Sequence, residues 1–156
     1  MPDQQPPRAV GERDVLHAAL QFQRESLVRK ASGVTEEDGR RSPVESGTTL
    51  RWLIEHACFA ERIWVRSRFA GEDVPLGTGT VLSDTLAEAI ETYRAEWPLI
   101  DGVVAAHDLD DAVDDPSGAD LPVTLRWIVV HLVEELARHA GHADILRELL
   151  DGSTGR

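Results

Sequence analysis

The stretch VVHLVEELARHAGHADILRELL, residues 129–150, reads as one long amphipathic helix. At about 100° per residue, Ile128, Leu132, Leu136, Ala143 and Leu146 fall on a single apolar arc. Glu135 and His139 lie one turn apart within or beside that arc, while Glu134 points away from it. A carboxylate is rarely fully buried unless it is paired or holds a metal. A fold that uses this helix must therefore supply a partner for Glu135.

Three further helical patterns precede it. The first spans about Asp14 to Lys30, with Val15, Ala19, Phe22 and Leu27 on one side, and Gly33 ends it. Thr35, followed by Glu36 and Glu37, starts a short extra turn as its N-cap. The stretch RRSPVESG, residues 40–47, is loop. Thr48 or Thr49 caps a second helix reaching Phe69, which Gly71 terminates. Ser83 or Asp84 opens a third helix that ends near Val104 to His107, with Pro98 expected to kink or interrupt it. Thr124 caps the last helix and Gly152 marks its exit. Nothing alternates with a period of two for long enough to make a strand, so the fold class is all-α, a bundle of four main helices. Residues 1–10 form a Pro-rich flexible lead-in and 11–152 one domain. Mixed loop lengths leave the topology open.

The charge excludes several classes of partner. Lys and Arg number 16 against 28 Asp and Glu, a net charge of −12. Such a surface offers no footprint for nucleic acid and disfavours anionic lipid. No apolar run reaches the length of a transmembrane span, and the first residues lack a signal peptide's apolar core. The single cysteine, Cys58, cannot form an intrachain disulfide and fits a reducing cytoplasm. The loop GTGT is too short to cradle a phosphate, and no nucleophile elbow is present.

An internal echo links two helices. TLRWLIEH (49–56) and TLRWIVVH (124–131) agree at five of eight positions. Either both are helix openings with the same needs, or the second and fourth helices occupy equivalent places across the core. His56 lies on the apolar side of its helix with Leu53, Ala57, Ala60 and Trp64, whereas Cys58 points well away. If the two helices are neighbours, His56 meets Glu135 and His139 across the bundle interior. Two imidazoles and one carboxylate are three protein ligands, which leaves coordination positions open as in a catalytic metal site. Glu135 and His139 also suit a plain helix-stabilising pair at i, i+4.

The pattern His-x3-Glu-x3-His-x-Gly-His-x-Asp-x2-Arg-Glu, beginning at His131, together with TLRWLIEH, resembles the DinB/YfiT-like superfamily, and more narrowly its actinobacterial-type branch. The resemblance covers nearly the whole chain. It implies a four-helix bundle, commonly a homodimer, holding a divalent metal by one residue of helix two and two of helix four. Those positions are His56, Glu135 and His139. Many members carry histidine at the position of Glu135, but the related mycothiol-dependent maleylpyruvate isomerases carry glutamate there. His131, one turn before Glu135, is the rival ligand, and Arg138, His142 and Asp144 are candidates to orient the ligands. His17 and His107 read as surface residues.

A dication held by one carboxylate and two neutral imidazoles makes a site of net charge about +1, suited to an anionic thiolate. Zinc is the default metal, with nickel or iron as alternatives. The resemblance implies a metal-dependent transferase joining a low-molecular-weight thiol, such as mycothiol or bacillithiol, to an electrophile. A non-catalytic metal-binding or dimerisation module and a metal-dependent hydrolase of a small molecule are the other readings. Arg51 and Arg126, near the helix starts, are candidates to receive an anionic cofactor's carboxylates.

Overall fold

Thr49, Thr85 and Thr124 each turn the chain into a helix in the same way. Each has extended backbone, and each hydroxyl oxygen accepts the N–H three residues on, from Trp52, Glu88 and Trp127. This satisfies one of the donors that a helix start leaves without a partner. At Thr85 the Glu88 side chain returns the bond, completing a capping box. Thr85 therefore opens the third long helix, rather than Ser83 or Asp84.

The computed structural model describes residues 5, 8–74, 83–114 and 122–154. Most of the N-terminal lead-in, the GTGT loop and part of the acidic connection lie outside them. The helices are α1 (Glu12–Ala31), α2 (Glu36–Arg40), α3 (Leu50–Glu61), α4 (Leu86–Ala106) and α5 (Leu125–Asp151). Helix α3 runs on into a π-helical segment, Arg62–Phe69. Against the expectation of no strand, β1 (Ala112–Val113) and β2 (Val123–Thr124) pair antiparallel just before α5. Two residues per strand are too few to leave a period-two signature.

Contacts along the helices give their directions. Arg126 grips Glu12, and Lys30 meets Asp144 further along, so α1 and α5 run parallel. His56 meets Glu135 and His139, while Trp64 meets His131 and Trp127, so α3 and α5 run antiparallel. Arg51 reaches the Asp84 carbonyl, Glu61 the Tyr93 hydroxyl and Arg66 the Glu96 carboxylate, so α3 and α4 run parallel. The order is up, down, down, up. No helix among the described residues is long and apolar enough to cross a membrane.

The core is aliphatic: Leu27, Leu50, Leu53, Ile54, Ile100, Leu125, Ile128, Leu132 and Leu136 are fully enclosed. All five residues of the apolar arc on α5 are buried. In α1 the expected stripe is rotated. Val15 is exposed, and the buried line is Leu20, Arg24, Leu27, Val28 and Ala31. A buried arginine in that line requires partners. The Arg24 guanidinium donates to Glu61 of α3, with Nε at 3.1 and 3.0 Å from the two carboxylate oxygens, and to Asp101 of α4 at 2.7 Å. Tyr93 donates its hydroxyl to the same Glu61 at 2.6 Å. Burial works against the Arg24 charge, but the adjacent Glu61 carboxylate outweighs it and the net shift is upward. Removing one member of such a pair strands the other and typically costs about 3–5 kcal/mol.

Pro98 lies inside α4 without ending it. The helix tolerates it because Pro98 and Arg94 both face solvent, where water can reach the carbonyl that proline leaves without a donor.

Candidate metal centre

His56 sits near the middle of α3, and Glu135 and His139 sit one turn apart near the middle of α5. The antiparallel packing of the two helices brings all three together. One donor atom from each residue lies within 4.8 Å of the other two. Glu135 Oε1 stands at the focus, 3.2 Å from His56 Nε2 and 3.0 Å from His139 Nε2. Two donors bound to one tetrahedral zinc at about 2.1 Å lie about 3.4 Å apart. The two separations from the Glu135 oxygen are within a few tenths of an ångström of that, while the three donors as a set span up to 4.8 Å, so a bound ion would draw the two imidazoles together; nitrogen and oxygen donors suit zinc, nickel and iron alike.

The surroundings fix these side chains. Arg138 donates to Glu135 Oε2 at 2.7 Å, which leaves Oε1 facing the two imidazoles. Trp52 stacks on His56 with ring centres 4.7 Å apart and planes 10° from parallel, and meets His139 edge-on at 6.0 Å. His142 Nδ1 stands 3.4 Å from His139 Nδ1. When Nε2 of His139 is the ligating atom its proton must sit on Nδ1, and His142 is placed to accept that hydrogen bond.

The charge states, though not the protons that the two Nε2 atoms share with Glu135, are those a metal site needs. Burial raises the Glu135 carboxyl, but hydrogen bonds from His56 and His139 outweigh it, and the net shift is below the ordinary carboxylate value. Burial lowers the His139 imidazole and the Glu135 charge only partly restores it, so the ring is held neutral. Metal ligation needs an ionised carboxylate and a neutral imidazole.

His131 stands outside the group, stacked on Trp127 and edge-on to Trp64. Asp144 pairs with Lys30 of α1. Arg51 is engaged with Asp84 and Glu55, and Arg126 with Glu12 and Asp110, so the structure gives both local partners instead of a free anion-binding role. His17 faces Asp101, and His107 bonds its own helix at Val103. Sequence reasoning passed over the ring stacks around His56 and His131. The Trp-x3-His spacing in the repeated octapeptide, one helical turn, was the available signal.

A family model described as "Mycothiol-S-transferase" matches residues 15–152. Among solved structures, a crystal structure described as that of a conserved protein of locus from Enterococcus faecalis superposes with a TM-score of 0.68 at 18% identity. That match covers 93% of this chain and 100% of the other, and shows a shared fold. No curated protein matches the chain.

Proposed function

Since the chain belongs to the mycothiol-S-transferase family, we propose that it is a metal-dependent transferase joining a mycothiol-like thiol to an electrophile, with His56, Glu135 and His139 as metal ligands. The observation that carries this reading is the convergence of two imidazoles on one carboxylate oxygen at the α3–α5 seam. Three protein ligands leave open positions for a thiol. A bound dication, zinc by default and nickel or iron otherwise, would lower the thiol's pKa and hold it as the nucleophilic thiolate.

The chain's own residues do the rest. Glu135 brings the only ligand charge, so the loaded site keeps about one positive charge for the anionic sulfur. Arg138 holds one oxygen of that carboxylate and leaves the other free. Trp52 packs flat on the His56 ring, and His142 Nδ1 would accept the His139 Nδ1 proton that ligation through Nε2 requires.

Elemental analysis after reconstitution with zinc tests the ligands. Wild type is expected to retain about one metal per chain, His139→Ala little or none, and Glu135→Gln to bind at least tenfold more weakly because shape is kept and charge lost. Equal metal content in wild type and His139→Ala sinks the assignment. Activity is read with mycothiol or bacillithiol and monochlorobimane, and conjugation should disappear in His56→Ala. Metal binding without thiol affinity would indicate a binding module instead. Thiol-independent ester or amide cleavage would indicate a hydrolase.

A further inference from the structure

The seam between α3 and α5 does not end at the three candidate ligands. On α5, Glu135, His142 and Leu146 lie about 40°, 60° and 20° from His139 around the axis, all to the same side. On α3 and the turn before it, Trp52 and Thr48 precede His56 at the same four-residue step. Because the two helices are antiparallel, His142 with Leu146 and Trp52 with Thr48 run from the ligands toward one end of the bundle. A pocket of about 390 Å³ opens there, lined by Val44, Ser46, Thr48, His142, Ile145 and Leu146. His142 is shared between the two sites. It lines the pocket, and its Nδ1 stands 3.4 Å from His139 Nδ1.

The lining decides what the pocket can hold. None of the six residues is an acid, a lysine or an arginine, in a chain with 28 acidic and 16 basic residues. The Ser46 and Thr48 hydroxyls bond each other at 3.0 Å, which spends part of the wall's polar capacity internally. Val44, Ile145 and Leu146 supply aliphatic surface. Ile145 is 57% exposed and Leu149, one turn on, is 56% exposed, so a ligand here would take apolar area out of water. A hydroxyl-rich thiol such as mycothiol would lose hydrogen bonds to water against these walls without regaining them. The pocket suits the other reactant. Distance then sets that reactant's shape. Leu146 lies about 10 Å beyond His139 along the axis, and a fully extended six-carbon chain covers about 8 Å. The bond from chain to sulfur makes up the difference.

We infer that this pocket takes the tail of the electrophile, an uncharged molecule whose reactive carbon carries a linear aliphatic chain of about six carbons. The inference rests on the thiol-transfer reading of the neighbouring site and names the class of its second substrate. With an α,β-unsaturated aldehyde, the thiolate sulfur bonds to the β-carbon. The C=C π pair shifts toward the carbonyl to give an enolate. Its α-carbon then takes a proton from solvent, replacing the one the thiol released, and no group leaves.

The test uses zinc-loaded protein and separates binding from turnover. Saturation-transfer NMR with the unreactive alcohols butan-1-ol to octan-1-ol reads the pocket alone. Affinity is expected to rise about two- to fourfold per methylene and to level off near six carbons. Ile145→Asp, at an exposed position, should weaken hexan-1-ol at least about fivefold, and Ile145→Leu should keep wild-type affinity. In turnover with mycothiol, kcat/KM for non-2-enal should exceed that for but-2-enal by about 30-fold or more, and Ile145→Asp should cut that ratio about tenfold. A ratio near one, or alcohol affinity indifferent to chain length and to Ile145→Asp, while iodoacetamide is still conjugated, overturns the pocket's role and leaves thiol transfer standing. Alcohol binding with these dependences but no conjugation of any electrophile overturns the thiol-transfer reading, and with it the substrate class.

Discussion

Cys58 is 1% exposed in the aliphatic core, and burial pushes its thiol up to about 12. Thiols react as thiolates, so a group this far above neutral pH and out of reach of solvent is inert. Native protein at pH 7.5 is expected to show no reaction with iodoacetamide over an hour, and one alkylation per chain once unfolded. Mass spectrometry showing rapid native labelling would contradict the packing. The sequence-based placement of Cys58 away from the candidate metal centre follows from the 100° advance per residue, and the same advance made the inward turn of Glu135 and His139 legible. Arg24, Glu61 and Tyr93 were not legible. Their contacts cross 37 and 32 positions in sequence, and no local pattern states that a charge in an apolar stripe will find its counter-charge on another helix.

Local signals did well for helices and poorly where two signals competed. Thr35, Thr49 and Thr124 cap as their spacing implies, and Gly152 ends α5 in the left-handed conformation at φ 76° that glycine adopts without strain. Ser83, Asp84 and Thr85 are three capping residues in a row, and only the Thr85–Glu88 reciprocity selects among them. The π-helical stretch after Glu61 has no readable sequence mark, because one extra residue per turn barely alters an apolar pattern of that length. Gly39 in α2 shows how tightly the short helix packs on α4. A Cβ there would stand 2.8 Å from Leu86 Cδ2 and 3.3 Å from Leu86 Cβ. Leu86 is buried at the first position of α4, with its N–H bonded to Glu36 at 2.8 Å, so it has little room to yield. Alanine gains about 1 kcal/mol in helix propensity, but overpacking costs about 1–3 kcal/mol. Gly39→Ala is expected to lower stability by about 1 kcal/mol in urea unfolding. A gain in stability would show that the α2–α4 contact is slack.

Across the molecule, buried and half-buried charges tie the helices together. Glu96 of α4 accepts from Arg62 at 2.6 Å and Arg66 at 2.9 Å, both on the π-helical segment. Burial raises its carboxyl, but these bonds and charges outweigh burial and hold it below the ordinary 4.5. The unfolded chain therefore takes up this proton first as pH falls. The stabilisation is complete above pH 4.5 and is lost as pH drops through the lower folded value. The Tm advantage of wild type over Glu96→Gln should be full at pH 6 and shrink steadily below pH 4.5. A gap that stays constant down to pH 3 would show that Glu96 contributes no charge-dependent stability. A smaller feature governs a larger one at the head of α5. The antiparallel pairing of Ala112 with Thr124 and Val113 with Val123 is extended by bonds from Leu125 and Arg126 back to Asp111 and Leu109. These few bonds determine which residue is the first of a 27-residue helix. A slip of one position there would rotate every later side chain by about 100° about the axis. The little ladder thus acts as the key in a keyway: it sets the azimuth at which Glu135 and His139 leave the helix, three to four turns downstream.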